Sequence, residues 1–309
     1  MILYDNIPLL SIAMTTYNHG QFIEKAIKSV LMQDYTNIEI IISDDASTDA
    51  TVKIAQNIAN QHPDKIKILT SEKNQGATEN WFKCTGACSG KYVLGLAGDD
   101  ELLPNVIEDQ IKILENDPNI AICYADAVVF DVMNQKKLYN LSDKTPTKSG
   151  GLKIALQDSI YYSPTSMFRR SLMPEKNIFK DLRHGTDLAF YKEIMIIAGS
   201  SAKIQYLPEV LYKYQKHDSN ITVTQKEYRK DHIEAIKILQ KKYPQYASDL
   251  SPAIYDFACV AFCKSLIKLN FRDSFYFLSA GLNASKYNPF KFFRALSWGI
   301  KFYLVLFFQ

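Results

Sequence analysis

The chain has 309 residues, 47% of them hydrophobic and 22% charged, with a formal net charge of +3. This balance fits a globular protein with one large core or two unequal domains and excludes intrinsic disorder. The charge is too small, and no run of Lys and Arg exceeds two residues, to imply nucleic acid as a partner. Five cysteines, Cys84, Cys88, Cys123, Cys259 and Cys263, in a long chain without a secretory framework predict reduced thiols and a cytosolic setting. Two of the pairs are spaced i, i+4, without the CxxC spacing or nearby His of a zinc site.

In chain order, the N-terminus carries Asp5 ahead of its first apolar run and does not read as a signal peptide. Short apolar runs then alternate with amphipathic stretches. "LLSIAM" (9 to 14), "IEIIIS" (38 to 43), "IKILT" (66 to 70) and "YVLGLA" (92 to 97) read as strands, and helices are expected near 20 to 32, 49 to 61 and 78 to 88. The strands are apolar on successive residues, as strands covered on both faces are. The rhythm is that of an α/β fold with a mixed, mostly parallel sheet flanked by helices.

Beyond "NDPNIAICYADAVVFD" the rhythm weakens, and the polar stretch 134 to 150 reads as an exposed loop. A helix is expected near 186 to 198, and "IQYLPEVLYKYQKHDSN" reads as a strand pair or a strand and loop. From about residue 225 the pattern is helical, with candidates near 225 to 242, 251 to 268, 272 to 284 and 289 to 308. The expected division is an α/β domain over 1 to 222 and a C-terminal helical region over 223 to 309.

Ligands of parallel sheets bind beyond the carboxyl ends of strands. Three polar clusters fall there: "TTYNHG", "DDASTD" and "GDDE". In the second, Ser47 or Thr48 suits the cap of the following helix, which needs only one side chain and leaves Asp44, Asp45 and Asp49 over. Adjacent carboxylates raise one another's pKa unless a cation or hydrogen bonds compensate. Divalent magnesium or manganese sites commonly use one or two carboxylates and complete their shell with substrate phosphates. Neither GxxxxGK[ST] nor GxGxxG follows the first strand, so metal-bridged diphosphate binding is the phosphate chemistry that remains.

"SIAMTTYNHGQFIEKAIKSVLMQDYTNIEIIISDDASTDAT", "NQGATENWFKCTGACSGKYVLGLAGDDELLP" and "HGTDLAFYKE" resemble the family 2 glycosyltransferases, inverting enzymes of the GT-A fold, over residues 9 to about 220. The resemblance implies transfer of a sugar from a nucleotide diphosphate, UDP above all, to a glycan or lipid-linked glycan of the cell surface. It implies a divalent Mn2+ or Mg2+ cofactor. Thr15, Tyr17 and Asn18 match the segment lying against base and ribose, and Asp45 the uracil-binding aspartate. Asn74, Gly76 and Asn80 match the stretch lining the nucleotide pocket, Gly76 allowing close approach of the sugar nucleotide.

"AGDD" matches the metal motif, with Asp100 expected as the metal ligand and Asp99 as a contact to ribose or donor sugar. Ala97 stands where the family usually has another aspartate. Asp187 in "HGTDLAFYKE" is the expected general base, its alternative being an acid placed at a helix N-terminus. His217 is expected to reach the metal or diphosphate, its alternative being a packed histidine. Arg169 and Arg170 are candidates to meet an acidic acceptor, or else a solvated edge; Trp81 reads as packing.

On a helical wheel, Lys291, Arg294 and Lys301 fall within one quadrant while Phe292, Phe293, Leu296, Ile300, Leu304 and Phe307 crowd the opposite side. This reads as a membrane-surface helix of a peripheral enzyme at the cytoplasmic face, with packing on the catalytic domain as its alternative. Two other functions stay open. A nucleotidyltransferase would want a Gly-rich, basic loop that "TTYNHGQF" lacks, and a non-catalytic sugar-nucleotide or glycan-binding module is kept in play by Ala97.

Overall fold

The computed structural model describes residues 7–105, 107–145, 147–158, 165–220, 228–267 and 270–285. The expected alternation is present. Strands β1 (Leu10–Thr16), β2 (Ile38–Asp44), β3 (Ile66–Thr70) and β4 (Tyr92–Ala97) alternate with helices α1 (Ile23–Leu31), α2 (Thr51–Ala59) and α3 (Ala77–Gly86). There follow β5 (Glu101–Leu102), α4 (Ile107–Asn116), β6 (Ile120–Asp131), β7 (Lys136–Asn140), β8 (Gly150–Gly151), α5 (Leu152–Gln157) and β9 (Met167–Arg169). The chain continues with α6 (Asp187–Ala198), β10 (Lys203–Lys216), α7 (Tyr228–Lys242), α8 (Ala247–Ile267) and α9 (Phe271–Ser285).

The sheet runs in the order β3-β2-β1-β4-β9-β6-β10-β5. Strands β1 to β4 are mutually parallel, and β6 is parallel to β10. The short β9 runs antiparallel between β4 and β6, joining the two parallel parts. This mixed, mostly parallel sheet with helices on both faces is the expected fold class.

Both faces are buried because alternate residues of one strand feed different cores. Leu10, Ile12 and Met14 of β1 pack with Ile23, Ile27 and Val30 of α1 and Leu114 of α4. Ala13 faces the other way, with Cys84 of α3, Phe190 of α6 and residues of α7 and α8, including Ile233, Leu239 and Ile254. The C-terminal helices therefore share a core with the sheet. Full burial of a side chain such as Ile233 or Leu239 contributes roughly 1.5–3 kcal/mol, which ties α7 into this core. All five cysteines are buried and outside any disulfide.

Two segments differ from the sequence reading. Within the supposed loop 134 to 150, β7 folds back on β6, with Val129 opposite Tyr139 and Val128 opposite Asn140. Its turn is made by Asp131, whose carboxylate accepts from the Asn134 backbone and side-chain nitrogens at 3.0 and 2.9 Å, and by Gln135 at φ 49°. A half-exposed edge strand needs no apolar run, so its residues carry little strand signal. The 203 to 216 stretch is one strand whose register against β6 shifts around Leu207, Val210 and Tyr212, absorbing Pro208 at a bulge. The stretch 289 to 308 expected as a surface helix lies outside the described residues. No helix among the described residues is long and apolar enough to cross a membrane.

Candidate active site

The polar clusters after β1, β2 and β4 meet at one sheet edge because their strands are parallel and adjacent, with Thr15 paired to Ser43 on one side and Ala97 on the other. The loops after β1 and β2 are stitched together. Asn18, at φ 55°, donates its N–H to Ser47 Oγ and accepts from the Thr48 N–H, each at 2.8 Å. Asp44 turns inward on Ser47, accepting from its N–H at 2.8 Å and from its hydroxyl. Asp49 accepts from the N–H groups of Gly20 at 2.9 Å and Thr51 at 3.0 Å, so it, and not Ser47 or Thr48, satisfies the start of α2. Tyr17 stands on this platform 44% exposed, available to a flat ligand.

Asp45 is buried, with both carboxylate oxygens on backbone: Oδ1 accepts from the Gln75 N–H and Oδ2 from the Gly76 N–H, each at 2.8 Å. It thus fixes the loop ahead of α3, where Asn74 donates to the Asp45 carbonyl and accepts from the Arg183 guanidinium. Gly76 has φ 99°, and a Cβ there would sit 2.8 Å from the Arg183 carbonyl oxygen. Its freedom is needed for the close approach of the Arg183 backbone. Asn80 is also not at the surface: buried behind β1 and β2, it accepts from Ser43 Oγ at 2.6 Å and donates to the Ser43 carbonyl at 2.9 Å. Both its polar ends are consumed in binding α3 to the sheet.

After β4 the adjacent aspartates face different ways. Asp100 Oδ1 accepts from the Gln215 N–H at 2.8 Å, tying the loop to β10. Burial, with the neighbouring Asp99 charge, holds its carboxyl well above the usual carboxylate range. Asp99 Oδ2 is the meeting point of three nitrogens: His217 Nε2 at 3.1 Å, Asn220 Nδ2 at 3.3 Å and His19 Nε2 at 3.5 Å. Burial would raise its pKa, but the His19 charge and the His217 hydrogen bond and charge outweigh it, and the carboxyl is held below its ordinary value. His217 stacks on Phe22 of the β1–α1 connection, ring centroids 4.5 Å apart at 20°, and its backbone N–H donates to Asn220 Oδ1 at 2.7 Å. The group that the imidazoles meet is therefore Asp99, and Asp100 is the one committed to the backbone.

The donor types here, carboxylate and imidazole, are ones a divalent transition metal accepts. One carboxylate oxygen and two imidazole nitrogens converge, a mixture that suits manganese better than magnesium, and His19 Nδ1 is buried without a hydrogen-bond partner. Among the described residues no group of three or more His, Cys, Asp or Glu could hold a metal ion. Further oxygen ligands would have to come from a substrate.

Asp187 opens α6, with Thr186 preceding it. Thr186 Oγ1 lies 3.1 Å from Thr78 Oγ1 of α3, which brings the start of α6 beside the Asp45–Gly76 loop. The Asp187 side chain is 40% exposed while its Oδ1 is buried and without a hydrogen-bond partner. One turn on, Tyr191 and Trp81 close over Gly95 of β4, where a Cβ would meet Trp81 at 3.0 Å and the Tyr191 hydroxyl at 3.5 Å. Trp81 also packs edge-on against Phe190, so it has the packing role expected.

Arg169 and Arg170 are far from this edge. Arg169 pairs with Tyr92, the first residue of β4, and its guanidinium donates to the carbonyls of Ile120 and Asp117 and of Leu114 near the end of α4. Arg170 Nε donates to the Gly90 carbonyl at 2.8 Å. Both serve the opposite edge of the sheet, correcting their reading as acceptor contacts. Reading the sequence missed His19, Asn220 and Arg183; of these only His19 carried a signal, lying inside the "TTYNHG" cluster at a strand end.

The family described as glycosyl transferase family 2 matches residues 11–175. The chain is 33% identical over 124 residues to the putative glycosyltransferase EpsE of Bacillus subtilis, covering 40% of this chain and 45% of that one. Over 101 residues it is 40% identical to the GalNAc(5)-diNAcBac-PP-undecaprenol beta-1,3-glucosyltransferase of Campylobacter jejuni, covering 32% of each. The chain thus spans less than half the length of these two relatives. The crystal structure of S. aureus TarS 1-349 in complex with UDP-GlcNAc matches 90% of both chains with a TM-score of 0.57 at 15% identity, a likeness of fold.

Proposed function

The chain belongs to glycosyl transferase family 2, and from that premise we propose that it transfers a sugar from a UDP-sugar to a lipid-linked glycan in cell-surface polysaccharide synthesis. The observation that carries this reading is a carboxylate–imidazole cluster after β4 together with a second carboxylate, at the start of α6 beside the Asp45–Gly76 loop. Asp99, His217 and His19 form the cluster, and Asp187 supplies the separate oxygen. The UDP-GlcNAc complex of the fold neighbour and the undecaprenol-linked substrate in the relative's name support donor and acceptor class.

In this reading Thr15, Tyr17 and Asn18 flank the base and ribose on the platform stitched by Ser47, Thr48 and Asp49, beside the loop ahead of α3 that Asp45 and Asn74 hold. Asp99 and His217, with His19 beside them, would hold a divalent ion, and Asp100 keeps the loop fixed to Gln215. The ion, when bound, offsets negative charge on the departing diphosphate. Asp187 takes the proton from the acceptor hydroxyl as that oxygen bonds to the anomeric carbon. The bond from that carbon to the diphosphate oxygen breaks, its electron pair leaving with UDP, and a single displacement inverts the centre. Exposed Phe271, Phe275 and Leu282 on α9, just ahead of the aromatic 289 to 308 stretch, support attachment to the inner membrane surface through the C-terminal region.

The test is a panel of nucleotide sugars with and without Mn2+, read by thermal stabilisation and then by acceptor-dependent release of the nucleotide. A UDP-sugar is expected to stabilise the protein only with the metal, and Asp187→Asn to bind that donor yet turn over at least a hundredfold more slowly. Turnover unaltered in Asp187→Asn would remove that residue as the base. Donor binding without turnover by the parent protein on any acceptor would favour the binding-module reading.

A further inference from the structure

His232 has no place in the chemistry so far, yet it is buried and both its ring nitrogens lack a hydrogen-bond partner. Its Nδ1 lies 3.9 Å from Asp187 Oδ1, itself buried and partnerless. Two unsatisfied buried polar atoms facing one another are costly unless they meet in some state of the protein. Catalytic hydrogen bonds are often long before substrate is bound, and closing by about 1 Å would make this an ordinary N–H···O contact.

The surroundings fix the ring. His232 stacks on Phe257 of α8, ring centroids 4.0 Å apart at 16°, with Tyr228 of its own helix 6.1 Å away. The first turn of α7 is docked on the segment before Asp187. The His184 N–H donates to Asp231 Oδ2 at 3.1 Å, and Gly185, at φ 65°, admits α7 so closely that a Cβ would meet the Tyr228 carbonyl oxygen at 2.6 Å and the His232 backbone nitrogen at 3.2 Å. The C-terminal helices thus hold an imidazole against the carboxylate that opens α6.

We propose that His232 is a positioning residue for Asp187: its Nδ1–H donates to Oδ1 and leaves Oδ2 aimed at the acceptor hydroxyl. The inference rests on the reading of Asp187 as the base. The charged groups facing the pair are Asp187 and Lys192 of α6, with the Tyr191 phenol beside Asp187. Burial lowers the His232 pKa, joined by the Lys192 charge, against the opposing pull of Asp187 and of the Gly185 backbone, a direction that favours the neutral ring. A neutral imidazole donates a hydrogen bond and does not carry the proton onward.

The test compares His232→Phe, which keeps the ring stack on Phe257, with His232→Asn, whose amide N–H stands near the Nδ1 position. His232→Phe is expected to lower kcat at least tenfold with the donor KM unchanged and to move the acid limb of the kcat–pH profile to higher pH. His232→Asn is expected to recover most of both. A kcat within twofold of the parent and an unmoved acid limb in His232→Phe would overturn the proposal, as would equal losses in both variants with a lowered Tm. Carbon-13 titration of the Asp187 carboxyl needs no substrate, and an unchanged midpoint in His232→Phe would also overturn it. Loss of activity in Asp187→Asn alongside an unaffected His232→Phe sinks only this inference, whereas full activity in Asp187→Asn sinks the base assignment beneath it.

Discussion

Gly76 and Arg183, 107 positions apart in the chain, touch through their backbones: a Cβ on Gly76 would lie 2.8 Å from the Arg183 carbonyl oxygen. Across this contact the loop held by Asp45 braces the segment that leads into Asp187. Gly76→Ala adds a methyl group with no room and at φ 99°, where an L side chain is strained. A loss of about 1–3 kcal/mol in denaturant unfolding is expected, with weakened UDP binding measured by calorimetry. Unchanged stability would show that the loop relaxes freely.

The two aspartates after β4 should separate by function when each is made isosteric and neutral. Asp100→Asn mimics the protonated carboxyl that burial favours and is expected to keep the fold. Asp99→Asn removes the charge on which His217, His19 and Asn220 converge and is expected to abolish the Mn2+-dependent part of donor binding. Thermal melts with UDP, with and without Mn2+, read both. Metal-dependent stabilisation surviving in Asp99→Asn but lost in Asp100→Asn would reverse the assignment.

Asn80 and Tyr17 sit in neighbouring motifs, but their substitutions should have opposite signatures. Asn80→Ala leaves the Ser43 hydroxyl and carbonyl short of buried partners and is expected to cost about 1–3 kcal/mol, with the donor KM unmoved. Tyr17→Ala on the exposed platform is expected to raise the donor KM at little cost in stability. Steady-state kinetics and unfolding curves on the same preparations check both.

Lys192 is buried in α6, its ammonium donating to the carbonyls of Ala155 at 2.8 Å and Leu156 and Asp158 at 2.9 Å. Burial pushes its pKa down to about 7, against the charges of Asp158 and Asp256. A depressed base binds fewer protons folded than unfolded between the two pKa values, so its contribution makes stability rise with pH above about 7. The stability difference between the parent and Lys192→Met is expected to widen in the parent's favour by about 2–3 kcal/mol from pH 7 to 9. A difference independent of pH over that range would place the lysine pKa elsewhere.

The first four strands and three helices were legible because strands covered on both faces must be apolar throughout, and the helices between them show a 3.6-residue period. β7 was not, since a half-exposed edge strand of Lys, Leu, Tyr and Asn carries no such pattern. At the site, Asp45, Asp99, Asp100 and His217 stood out by type and position after strands. Their partners did not, because the register of β10 against β6 and the docking of α7 are long-range choices with no local signature.

What the sequence determined alone is the family, the parallel half of the sheet and the edge at which the polar loops gather, since hydrophobic period and motif order are properties of the chain itself. The division of labour needed the tertiary structure: which of two adjacent carboxylates meets the imidazoles, that Gly76 serves Arg183, that Asn80 is buried, and that His232 faces Asp187. Side-chain direction at the end of a strand or the start of a helix is decided by what packs on it, and for Asp100 and Asp187 the packing partners, Gln215 and His232, lie 115 and 45 residues further along the chain.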